Sequence, residues 1–230
     1  MKLVLLPGLD GTGVLFRPFL KALPPSIEPI VVRYPPREPL GYNELMSLVR
    51  EVLPRDEPFA LLGESFGGPL SLRIASERPP GLCALILCGS FISCPYTVPS
   101  WMSYGVTSLP FRAFPFYARG LSWAGVITAE ELSLSLEALS QVAPHVFAHR
   151  LREVIRVNVE SELQGCGVPM LYMQGENDWL VPSWNSRRIA RLKPTMRIAK
   201  LPAAHMILKT QPVLASAAIC DFLATASRQP

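Results

Sequence analysis

Apolar positions along the chain fall into short runs separated by stretches of helical period, and this alternation sets the expected architecture. Six runs, at 2–6, 29–33, 59–62, 84–88, 170–174 and 197–201, are too short for buried helices and are bounded by glycine, proline or charge. Most are apolar nearly throughout, as expected of strands covered on both faces. Helices are expected near 14–22, 42–53, 66–77, 183–192 and 211–225. In 42–53 the period is plain, with Leu45, Leu48, Val49 and Val52 on one face. Strands alternating with helices predict an α/β fold, a parallel sheet with helices on both faces.

The rhythm breaks between 88 and 170. Residues 91–127 are rich in proline and aromatics, Pro95, Tyr96, Trp101, Phe116 and Trp123 among them, whereas 128–163 reads as helical. Thr128 is the expected N-cap, with Glu130 and Glu131 placed to favour the positive end of the helix dipole. A long insertion in a compact domain is usually a lid or binding element. Residues 91–163 are therefore expected to form a mostly helical cap on a core made of 1–90 and 164–230. It would lie over the carboxyl ends of the strands, where open α/β sheets bind ligands.

With 230 residues, 49% hydrophobic and 17% charged, the sequence has material for one globular domain with a substantial core. The formal charge of +4 is mild and scattered, so nucleic acid is not an expected partner. No stretch has the apolar length of a membrane span, and residues 1–6, broken at once by Pro7-Gly8, read as a strand rather than a signal segment. Five cysteines form an odd set without metal-type spacing, which fits a reducing cytoplasm. No metal and no cofactor are expected.

The chemistry centres on Gly63-Glu64-Ser65-Phe66-Gly67, set between an apolar run and a helical pattern. In such a strand–turn–helix the serine stands clear of the sheet, and side chains at the flanking glycines would collide with neighbouring backbone. A serine hydroxyl needs a base to take its proton, and the base needs an acid to orient it. Of three histidines, His145 and His149 sit four apart in the helical half of the insertion, with no third metal ligand nearby. His205 follows the last strand, at the same sheet edge as Ser65. Asp178 sits in the turn after 170–174, with Glu176 its nearest competitor.

Four segments together, Leu5-Leu6-Pro7-Gly8-Leu9-Asp10-Gly11, the Ser65 pentapeptide, Gly175 to Pro182 around Asp178, and Ala204-His205, resemble the α/β-hydrolases along the whole chain. The order Ser, Asp, His is that family's. The resemblance implies a six-stranded parallel sheet of order 2-1-3-4-5-6, without the leading β-hairpin many relatives carry. It implies Ser65 as nucleophile, His205 as base and Asp178 as orienting acid. The oxyanion hole would be the backbone N–H groups of Phe66 and Leu9, with Pro7 standing where the family usually has histidine and Asp10 as an added brace. The implied reaction is ester hydrolysis through an acyl-enzyme, on a small ester with an apolar acyl or alcohol group. Trp101, Phe116 and Trp179 are candidate substrate contacts. Arg112, Arg119, Arg150, Arg152 and Arg156 give the insertion a basic tint similar to capped esterases that cleave the methyl ester of pimeloyl-acyl carrier protein. An acidic acyl carrier protein is therefore a candidate partner, with a solvated helix face as the alternative. Thioester or carbon–carbon bond hydrolysis, cofactor-free perhydrolysis and a non-catalytic, receptor-like hydrolase fold stay open, as does monomer against homodimer.

Overall fold

Six strands make one parallel sheet in the order β2-β1-β3-β4-β5-β6, as expected. They are β1 (Lys2–Leu6), β2 (Glu28–Val31), β3 (Phe59–Glu64), β4 (Leu82–Cys88), β5 (Met170–Gly175) and β6 (Arg197–Leu201). This computed structural model describes residues 1–99, 101, 105–106, 116, 119, 123 and 127–226.

Successive side chains of a strand point to opposite faces, and the two cores divide accordingly. Val4, Leu6, Leu61, Leu85, Leu87 and Tyr172 face one side. There they pack on α2 (Tyr42–Val52), α3 (Gly67–Ser76), α6 (Glu160–Gly165) and α7 (Ser183–Leu192) through Leu45, Leu70, Leu163 and Ile189. Leu3, Leu5, Leu62, Ile86, Leu171 and Met173 face the other. These meet Phe19 of α1 (Arg17–Ala22), Leu208 of α8 (Ile207–Thr210) and Phe222 of α9 (Pro212–Ala226). Fully burying a side chain of this size is worth about 1.5–3 kcal/mol, so burial on both faces commits these short runs to strands.

Departures from the expected elements lie at the edges. Strand β2 closes at Val31 rather than residue 33; as an edge strand it pairs only with β1, from Lys2↔Glu28 to Leu5↔Val31. Val52, expected on the buried face of α2, is 43% exposed because it ends the helix. The expected helix at 14–22 divides into a 3-10 turn, Val14–Phe16, and α1, which Pro18 restarts as a first-turn proline.

Within 91–163, the second half is helical as expected, with α4 (Ala129–Ser140) and α5 (Pro144–Arg156) leading into α6. Thr128 caps α4 as expected: Glu131 N donates to its Oγ1 at 3.1 Å, and its own N–H donates to Glu131 Oε2 at 2.7 Å. Helix α5 is fastened to the loop after β2. Ala143 N donates to Pro36 O at 2.9 Å, Tyr42 N to Glu153 Oε2 at 3.4 Å, and His145 Nε2 donates to Arg37 O at 3.1 Å. Among the described residues no helix is long and apolar enough to cross a membrane.

Candidate active site

Strand β3 ends at Glu64 and α3 begins at Gly67, which leaves Ser65 and Phe66 to make the turn. Ser65 has φ +50°, a left-handed conformation that costs a non-glycine residue about 1–3 kcal/mol. The surrounding backbone holds it there. Ser65 N donates to Cys88 O at 2.9 Å, while Gly68 N and Ser90 Oγ donate to Ser65 O at 3.0 and 2.8 Å. A Cβ at Gly63 would stand 2.4 Å from Gly67 O, and one at Gly67 would stand 2.3 Å from Leu6 O. Both flanking glycines are thus required by close backbone approach.

Asp178 lies in the turn after β5 and His205 in the turn after β6. His205 Nδ1 is 2.9 Å from Asp178 Oδ2, and His205 Nε2 is 2.9 Å from Ser65 Oγ. The second carboxylate oxygen, Oδ1, accepts from Leu180 N at 3.0 Å and Val181 N at 2.8 Å, which fixes the plane of the carboxylate. An ionised carboxylate only accepts, so the ring proton sits on Nδ1 and the Nε2 lone pair faces the serine hydroxyl. Asp178 and His205 are both buried.

The loop after β1 lies against Ser65: a Cβ at Gly8 would come 3.7 Å from Ser65 Cβ. Gly11 N donates to Gly8 O at 3.0 Å and closes a turn. Because C=O and N–H of a trans peptide point opposite ways, that bond directs the Leu9 N–H out of the turn. Asp10 Oδ2 accepts from Thr12 N at 2.9 Å and Thr12 Oγ1 at 2.5 Å, so Asp10 shapes the loop from within. Phe66 opens α3, where the first N–H groups have no acceptor inside the helix. Its ring stacks on Tyr42 with centroids 4.5 Å apart.

Ser65, Asp178 and His205 are therefore brought into one hydrogen-bonded line, with Phe66 next to the serine in the chain and Gly8 of the loop after β1 against it. The three candidate substrate contacts are far more open: Trp101, Phe116 and Trp179 are 68%, 76% and 60% exposed. Trp101 lines an apolar hollow with Val98, Gly105, Val106 and Ile155. Trp179 adjoins Asp178, and its carbonyl accepts from the Tyr96 hydroxyl. His145 binds a carbonyl, as described above, and His149 is half-buried on the same helix.

The arginines need one correction. Arg150, grouped with the basic positions that would grip a carrier, is fully buried and faces the loop after β1. It sits every fourth residue with Val146 and Val154 on the inward side of α5. Burial pulls its pKa below the ordinary value, with Tyr34 and Asp10 opposing. Arg152 donates to Val106 O at 2.8 Å, Arg119 is exposed, and Arg112 lies outside the described residues.

Sequence reasoning also passed over Glu64 and Ser90. Glu64 is the variable position of the pentapeptide, yet its side chain is 2% exposed, and Oε1 has no hydrogen-bond partner among the described residues. Burial foremost, and then Asp10, push its pKa up to about 8, with Lys209 opposing. Lys209 is itself buried and donates to Ser135 Oγ at 3.1 Å. The only signal for Ser90 was its place two residues after the end of β4.

Glu64 ionises near 4.5 when unfolded and near 8 in the fold. Its contribution to stability is full below 4.5 and is lost as the pH rises through 8, a span on the order of 3–5 kcal/mol. Urea midpoints of wild type and Glu64→Gln should therefore be close at pH 4.5, with the variant distinctly more stable at pH 9. A constant difference at both pH values would show that Glu64 does not titrate in this way.

Residues 42–201 match the model of the serine aminopeptidase S33 family. Polyketide synthase ThaQ of Burkholderia thailandensis is 24% identical over 243 aligned residues, covering 96% of this chain; the chain spans only 12% of that protein's length. A bromoperoxidase from Bacillus anthracis has a TM-score of 0.83 at 15% identity, with 97% of this chain and 91% of that one covered. An esterase from Exiguobacterium antarcticum gives 0.82 at 16%, with 97% and 92% covered. At such identities the two structures speak for the fold. The family match spans most of the chain and takes in Ser65 and Asp178: the chain belongs to the serine aminopeptidase S33 family, hydrolases of the α/β-hydrolase fold.

Proposed function

We propose that the protein is a serine carboxylesterase that works through an acyl-enzyme on Ser65. The observation that carries this reading is the unbroken line Asp178–His205–Ser65, with both contacts at 2.9 Å. His205 Nε2 takes the hydroxyl proton as Ser65 Oγ attacks the ester carbonyl. Negative charge gathers on the carbonyl oxygen, where the N–H groups of Leu9 and Phe66 receive it; one such donor is worth about 3–4 kcal/mol. The imidazolium, steadied by Asp178, protonates the departing alkoxide, and the alcohol leaves. Water, activated by the same nitrogen, attacks the acyl-enzyme, and the carboxylic acid is released as Ser65 regains its proton.

The aromatic and aliphatic richness of residues 91–127 supports a substrate with an apolar acyl or alcohol group. The reading is tested with p-nitrophenyl esters of graded chain length and a fluorophosphonate probe. Hydrolysis and labelling of one serine per chain are expected; a protein that neither releases nitrophenol nor labels overturns it. The alignment of nearly the whole chain with part of a polyketide synthase leaves a second reading, thioester hydrolysis by the same three residues. Rates on an oxyester and a thioester of the same acyl group decide between the two.

A further inference from the structure

The loop that carries Leu9 is held by every carbonyl from Pro7 to Asp10. Pro7 O accepts from the Tyr34 hydroxyl at 3.2 Å and Gly8 O from Gly11 N at 3.0 Å. Leu9 O and Asp10 O both accept from one nitrogen, Arg150 Nη1, at 3.0 and 2.9 Å. The other terminal nitrogen, Nη2, reaches Pro35 O at 2.9 Å. A single guanidinium on α5, 141 residues from Leu9 in sequence, therefore joins the loop after β1 to the loop after β2.

The slot for it is built. Gly11 has φ +68°, and a Cβ there would stand 2.6 Å from Arg150 Nη1, so this glycine leaves the space the guanidinium fills. Tyr34 covers the group from one face, its ring centroid 5.4 Å from Cζ. None of the ion pairs among the described residues includes Arg150. Burying a cation whose hydrogen-bond acceptors are all carbonyls is costly even with the Asp10 carboxylate acting on it electrostatically. A stabilising role would be met as well by an apolar side chain; what a planar, five-donor fork adds is direction.

From this geometry we propose that Arg150 is a positioning residue: it fixes the peptide planes on the carboxyl side of Leu9, so that the Leu9 N–H stays aimed at the oxyanion formed at Ser65. It acts through the loop and touches no substrate. The inference rests on the esterase reading above, and it makes α5 part of the oxyanion scaffold rather than a movable lid.

Two variants test it, Arg150→Met and Arg150→Lys, each against wild type. With p-nitrophenyl butyrate, the methionine variant should lose about 10- to 100-fold in kcat, with KM within about three-fold. Butylboronic acid, whose adduct with Ser65 places an oxygen in the oxyanion position, should weaken by the same factor, while butyrate binds as before. The lysine variant keeps the charge but not the fork and should fall between. Amide hydrogen exchange gives a readout free of turnover: peptides covering 7–13 should exchange faster in both variants, with 59–64 unchanged. Unaltered exchange at 7–13, or a kcat loss with boronate affinity intact, overturns the proposal. If the methionine variant does not fold, exchange in the lysine variant decides by the same criterion. A wild type that hydrolyses no ester removes the esterase reading instead, and exchange at 7–13 still judges the brace.

Discussion

Ser65→Ala is expected to lower kcat for ester hydrolysis roughly a million-fold, with the fold intact. Alanine removes only Oγ, whose hydrogen bond with His205 Nε2 is partly rather than fully buried. The backbone bonds that hold position 65, from Ser90, Gly68 and to Cys88, do not involve the side chain. Residual rate should come from water and the oxyanion donors, without a burst and without fluorophosphonate labelling. Measured kcat, burst amplitude and the urea midpoint check this together. A variant hydrolysing esters near the wild-type rate would show that Ser65 is not the nucleophile.

Asp178→Asn has the second largest expected effect, about 10⁴-fold in kcat. The reasoning lies in the two backbone donors. Leu180 N and Val181 N both point at Oδ1, so the asparagine oxygen must take that place and its NH₂ must face His205 Nδ1. A donor there forces the imidazole proton onto Nε2, and the nitrogen opposite Ser65 can no longer accept. Geometry is kept while the base is lost. A loss below ten-fold at neutral pH would mean that another acid, Glu176 the nearest, orients His205.

Much of this was legible in the sequence because the signals are local. Short apolar runs flanked by glycine or proline mark β1, β3, β4 and β5, since burial on both faces confines polar residues such as Lys2, Glu64 and Gln174 to positions at or next to their ends. The pentapeptide at Ser65 and the Ser, Asp, His order carry their own context. The limits of β2 were harder to read because an edge strand needs apolar residues on fewer positions. Arg150 escaped for the opposite reason. An arginine at helical spacing reads as solvated, and its acceptors are backbone carbonyls, which every residue possesses and no sequence pattern marks. Glu64 was hidden by its place in a motif where any residue is allowed; the charges that act on it, Asp10 and Lys209, are remote in the chain.

The left-handed turn at Ser65 also restricts which nucleophiles the site can evolve or be given. A branched Cβ is poorly accommodated at positive φ, so threonine would move the elbow or turn its hydroxyl away from His205. Cysteine has the same single-branch shape as serine and enters without such a shift. The backbone thus admits primary alcohols and thiols and rejects secondary ones, so an exchange of an alcohol for a thiol at this position lies one substitution away on this scaffold.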